Sequence, residues 1–178
     1  MTTARATLRV FRSSVLCLAL LAGAVGAAEI DEVRRLHGAG QNAEAIERAR
    51  KAIAAAPKDA AMRFQLAVML ADTGRAAEAR ELLEQLAQEH PDLPEPYNNL
   101  AALKAAAGDL EGAKASLDQA LRANPSLATA HENLGDVQLM LALRSYERAQ
   151  QLDPSGTSLP AKLALLRHLL RSVPTAAP

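Results

Sequence analysis

The side chains best suited to proton transfer or metal binding are four histidines, His37, His90, His131 and His168. Their spacing suits neither task. Metal-binding imidazoles on a helix come three or four residues apart, often beside a glutamate, and these four are scattered with no such pair. No glycine-rich phosphate loop, nucleophile elbow or Cys-x-x-Cys pair is present, so nothing in the chain supports enzymatic activity or a bound cofactor or metal. What remains is amide chemistry. Gln65, Asn99 and Asn133 recur every 34 residues. A side-chain amide carries both donors and an acceptor, so a row of them can grip the peptide groups of an extended ligand without reading its sequence.

A row with that interval needs elements that repeat with it. The clearest unit runs from Pro94 to Pro125. Tyr97, Leu100, Ala101 and Lys104 follow one helical face, Gly108 interrupts, and a second amphipathic run carries Ala113, Leu117, Ala120 and Leu121. The run stops at Asn124, because a proline disfavours helical geometry in the residue before it. Small residues at Ala101, Ala113 and Ala120 let two helix backbones approach closely. The unit is therefore a helical hairpin. Gly40, Gly74 and Gly108, Ala45, Ala79 and Ala113, and Pro57, Pro91 and Pro125 form three ladders of the same 34-residue period.

On these residues the unit resembles the tetratricopeptide repeat, whose signature has an aromatic, Leu-Gly, Tyr, Ala, a large residue and a closing proline. Tyr97, Leu100, Ala101, Lys104, Ala113, Leu117 and Pro125 occupy those places, with Ala101 in place of glycine and Lys104 in place of tyrosine. The second repeat supplies Arg63, Leu66, Ala67, Leu70, Ala79, Leu83 and Pro91, and the first a weaker set beginning at Leu36. The resemblance implies an all-α solenoid of helical hairpins wound into a right-handed superhelix.

The expected organisation is repeats over 29–59, 60–93 and 94–127, a shortened fourth over 128–154, a capping helix over 155–173 and a disordered tail over 174–178. In the fourth copy His131, at the aromatic position, is expected to pack. Ala142 stands where the next glycine is due, and no Gly or Pro occurs from Asp136 to Asp153. One fused helix from Ala128 to Leu152 is expected in place of a hairpin, with Leu134, Val137, Leu141, Ser145, Ala149 and Leu152 on one face. In the last helix Leu163, Leu166, Leu169 and Leu170 oppose Lys162, Arg167 and Arg171. That pattern suits a cap for the stack, with a membrane-surface helix as the alternative.

Composition agrees with a helical chain, since the apolar residues are mostly Ala and Leu with few aromatics. Residues 1–28 have the layout of a secretory signal peptide: Arg5, Arg9 and Arg12, then an uncharged run from Ser13, then small residues, with cleavage expected near Gly26 or Ala28. The sole cysteine, Cys17, leaves with the leader, and no disulfide framework remains. No stable membrane span is expected after cleavage. Without the leader, 17 basic residues face 20 acidic ones, which argues against a nucleic-acid partner.

The resemblance also implies that the first helix of each hairpin lines a concave groove. Its residues would be Phe64, Gln65, Val68 and Asp72 in the second repeat, Asn98, Asn99, Ala102 and Ala105 in the third, and Glu132, Asn133, Asp136 and Met140 in the fourth. None is basic, and Arg34 in the first copy is the only cation available, so a clamp for a C-terminal carboxylate is not expected. The reading is an exported, non-catalytic scaffold or assembly factor, periplasmic or secreted, that holds a protein or peptide partner. The alternatives are an accessory module delivering substrate to a separate envelope enzyme, or self-association through the last helix.

Overall fold

A computed structural model describes residues 27–172, and every regular element among them is an α-helix. In chain order these are α1 (residues 27–38), α2 (Asn42–Ala55), α3 (Ala60–Asp72), α4 (Ala76–Glu89), α5 (Pro94–Ala106), α6 (Leu110–Ala123), α7 (Ala128–Leu152) and α8 (Leu159–Ser172). The chain divides between Met69 and Leu70, inside α3, into two compact units.

In the first unit α1 and α2 bury Val33, Leu36, Ala45, Ile46 and Ala49, and α3 buries Met62, Leu66, Ala67 and Met69. Asp59 accepts a hydrogen bond from the Met62 amide at 3.0 Å, which satisfies one of the orphan donors at the start of α3. The guanidinium of Arg48 on α2 forks onto Glu29 of α1 at 2.7 and 3.1 Å.

In the second unit α5 and α6 form the most regular hairpin. Ala101, Leu110, Ala113, Leu117 and Ala120 make a core with Ala130 and Val137 of α7. The small side chains face the close approaches, and Leu117, fully buried, fills the space between them. Pro94 and Pro96 open α5, where a missing N–H costs little. The Tyr97 hydroxyl donates to the Ala87 carbonyl at 3.0 Å and ties α5 to α4. The Asp109 side chain caps α6 through the Gly112 amide at 2.9 Å.

One device closes three helices. Gly40, Gly74 and Gly108 have φ of 75°, 76° and 81°. Each donates its N–H three residues back, and the following residue donates five back: Gly108 to Ala105 and Asp109 to Lys104, both at 2.9 Å. Paired bonds of this kind satisfy carbonyls that a helix end leaves open, and they require a left-handed residue.

Where the next such turn would fall, α7 continues without a break for 25 residues. Arg144 donates to the Gly108 carbonyl at 3.1 Å, mooring α7 to the α5–α6 turn. Beyond that point Ser145–Leu152 extend the helix by roughly 12 Å. The chain then turns at Asp153, whose carboxylate accepts from the Ser155 amide at 3.1 Å and hydroxyl at 2.6 Å. α8 packs on α7 through buried Leu163, an ion pair between Arg167 and Glu147 at 2.8 Å, and the Lys162 ammonium 5.3 Å from the Tyr146 ring centre.

Three expectations need correction. His131 is exposed and does not pack; its ring nitrogen sits 2.9 Å from the Pro125 carbonyl oxygen. Leu152 is 70% exposed despite its helical spacing, because α7 at that point has outrun the helices that bury its first half. Leu169 is 38% exposed, so the packed side of α8 is Leu163, Leu166 and Leu170.

Candidate functional site

The residues assigned to a groove from the sequence lie in both units. Phe64, Gln65 and Val68 are half-buried on α3 in the first unit. Gln65 is already engaged: Arg34 Nε donates to its Oε1 at 3.2 Å. Asp72 is exposed at the end of α3. In the second unit Asn98, Asn99 and Ala102 on α5 and Asn133, Asp136 and Met140 on α7 are half-buried, and Glu132 is exposed.

The amides of the second unit form a chain of their own. Asn133 Nδ2 donates to Asn98 Oδ1 at 2.9 Å, and Asn98 Nδ2 donates to Asn99 Oδ1 at 3.4 Å. The amides are therefore not a row of idle rungs, because each already shares one half with a neighbouring side chain. The carbonyl oxygen of Asn133 and the amino group of Asn99 take no part in these two bonds.

Beside this chain α5, α7 and α8 enclose a cavity of about 410 Å³. Five residues assigned from the sequence line it: Ala102, Ala105, Asn133, Asp136 and Met140. Its walls are otherwise apolar, with Val137 at the base and Leu170 of α8 closing one side. Asn98 and Asn99 stay outside its lining, as does Glu132. Ala101, Ala106, Leu117, Val137 and Leu170 also line it without having been assigned to the groove, and Leu170 comes from outside the repeats. Its place on the apolar side of α8 was visible, but which neighbour that side would meet depends on how far α7 runs before the chain turns.

One further pair has the look of chemistry. Lys104 Nζ donates to Ser116 Oγ at 2.9 Å, as in a base-activated nucleophile. Ser116 is buried, however, and its hydroxyl donates to the Gly112 carbonyl at 3.0 Å. Lys104 stands in the repeat's tyrosine position and joins α5 to α6, which is a packing role. Among the described residues no group of three or more His, Cys, Asp or Glu side chains could hold a metal ion, and no helix is long and apolar enough to cross a membrane.

Repeating hairpins closed by left-handed glycines define a class of helical repeat protein. Models of the tetratricopeptide repeat match residues 36–105 and 98–156, so this part of the chain consists of tetratricopeptide repeats. Solved structures share the fold. The first repeat domain of Spaghetti (RPAP3), bound to the HSP90 peptide SRMEEVD, aligns with TM-score 0.61 at 20% identity over 66% of this chain and 93% of that one. PilF of Pseudomonas aeruginosa aligns with TM-score 0.60 at 22% identity over 82% and 69%. A thermophilic repeat protein of Thermus thermophilus gives 0.61 at 22% identity over 82% of each chain. At these identities the likeness is one of fold. No curated protein sequence matches the chain.

Proposed function

We propose that this chain is an exported scaffold or assembly factor that holds an extended polypeptide segment of a partner along the inner helices of its repeats, and that it performs no catalysis. The observation that carries the reading is the cavity between α5, α7 and α8, where five residues assigned to a ligand-facing surface from repeat position alone surround one open apolar space. The peptide bound to the repeat domain of RPAP3 supports it by analogy of fold. Export rests on the leader pattern of residues 1–28, nearly all of which lies outside the described residues.

The test is capture from a Gram-negative envelope extract, with mass spectrometry of what is retained. Replacing Asn99 and Asn133 together by alanine should weaken the captured partner's affinity about tenfold while far-ultraviolet dichroism stays unchanged. Retention of full affinity by the double variant would remove the amides from the binding surface. Fractionation of cells carrying a reporter fused to the C-terminus tests export, and reporter activity confined to the cytoplasm would overturn it.

Self-association is a second reading, favoured by Leu152, Leu165 and Leu169, which are 70%, 60% and 38% exposed near the α7–α8 end. Sedimentation of Leu165→Lys beside the unchanged chain separates the two readings.

A further inference from the structure

We propose that the cavity between α5, α7 and α8 anchors one bulky apolar side chain of the partner segment, and that the partner residue next to this anchor is a lysine or arginine. The inference rests on the polypeptide-holding role above and gives it a ligand chemistry. Four features carry it: size, wall chemistry, the direction of the hydrogen bonds, and charge.

A cavity of about 410 Å³ lies in the lower part of the range that takes a drug-sized ligand. It therefore has room for a leucine, methionine or phenylalanine side chain and a little of the flanking chain. The alanine methyls of α5 make a smooth wall, and Met140 opposite is a flexible, polarizable one that adapts to the shape presented. Leu170 turns what would be an open shelf into a pocket. It is held there by the contacts that fix α8: buried Leu163 and the Arg167–Glu147 pair.

Only Asn133 and Asp136 bring polar side chains to the lining. Asn133 gives one amino N–H to Asn98, which leaves its carbonyl oxygen open as an acceptor for the ligand beside its second N–H. A carboxylate is acceptor-only when ionised. Asp136 has no ion-pair partner among the described residues, and no basic side chain lines the cavity. The rim therefore wants donors and positive charge. An acidic tail such as that of the HSP90 peptide would meet like charge here, whereas an ammonium or guanidinium beside the anchor would meet Asp136 and the Asn133 oxygen.

The experiment selects a displayed library of random ten-residue peptides on the full chain, then measures Kd of labelled winners by fluorescence anisotropy. Enrichment of an apolar residue next to Lys or Arg is the expected result. Ala105→Leu, which fills the pocket without removing core, should weaken the winners about tenfold, and Leu170→Asp at least as much. Asp136→Asn should erase the advantage of Lys over Gln at the neighbouring position and flatten the dependence on salt. Thermal melts identify any variant that has lost its fold, and Asp136→Asn keeps the charge prediction testable if Ala105→Leu does so.

Winners flanked by Asp or Glu, or winners indifferent to all three substitutions, overturn this inference and leave the broader binding role standing. If nothing is enriched, the broader role falls too. Peptide affinity that rises with Val173→Asp would make the chain's own C-terminal residues the occupant. Dimerisation abolished by Ala105→Leu would make it a second copy. Either result overturns the proposal.

Discussion

At Gly108 the backbone enters the left-handed region and the chain reverses; at Ala142, the same place one repeat later, it does not. The α5–α6 hairpin and the α7–α8 end thus start from one pattern and part at one residue. In the hairpin, φ of 81° lets two bonds return to α5 and α6 folds back against it. In the later copy the residues that would form the turn are missing, and α7 carries straight on. A repeat architecture is thus held as much by its helix ends as by its apolar faces. Where the closing device is absent, the same apolar spacing yields a single long helix with a wet end.

The largest test of this contrast compares two buried leucines. Leu117 and Leu163 are both almost completely buried, but Leu117 lies in the core shared by α5, α6 and α7, whereas Leu163 faces α7 from the last helix. Leu117→Ala should destabilise the chain by about 3–4 kcal/mol and Leu163→Ala by about 2, because an edge helix can settle into the space left behind. Urea unfolding measures both, and equal costs would mean that α8 is as firmly built in as the hairpin.

A reciprocal exchange is the next largest. Nothing lies within 4 Å of a Cβ added at Gly108, so Gly108→Ala is opposed only by its backbone conformation, at about 1–2 kcal/mol. Ala142→Gly should cost about 0.5–1 kcal/mol by loosening α7, without creating a hairpin. Amide exchange across residues 139–146 would show it, and a new reversal there would break the comparison.

The smallest effect lies in the first unit. A hydrogen bond from Arg35 holds the Glu32 carboxyl below its ordinary range. Whatever stability this adds is present at neutral pH and fades as acid protonates Glu32 below the usual carboxylate range. The pair is on the surface, so Glu32→Gln should scarcely alter the acid limb of the unfolding curve.

Much of the fold could be read from the chain because its signals are local. A glycine that must be left-handed, a proline that stops a helix and an alanine at a close approach each act within a few residues, and the 34-residue period makes them reinforce one another. The uninterrupted α7 follows from the absence of any breaker between Asp136 and Asp153. What depended on distant partners was not legible. The pairing of Asn133 with Asn98, the exposure of His131 and the reach of Leu170 into the cavity are each decided by a side chain from another helix.

The overshoot of α7 also has a bearing on how such an array could lengthen. Adding a unit to a tandem array needs a last helix whose outer flank repeats the alanine and leucine pattern that the incoming hairpin expects. Here the array finishes differently, with a lone rod and a returning helix whose outward side shows Leu165 and Leu169 among cations. A 34-residue segment inserted after Pro154 would therefore meet that leucine and cation surface in place of the alanine and leucine flank that α6 offers to α7.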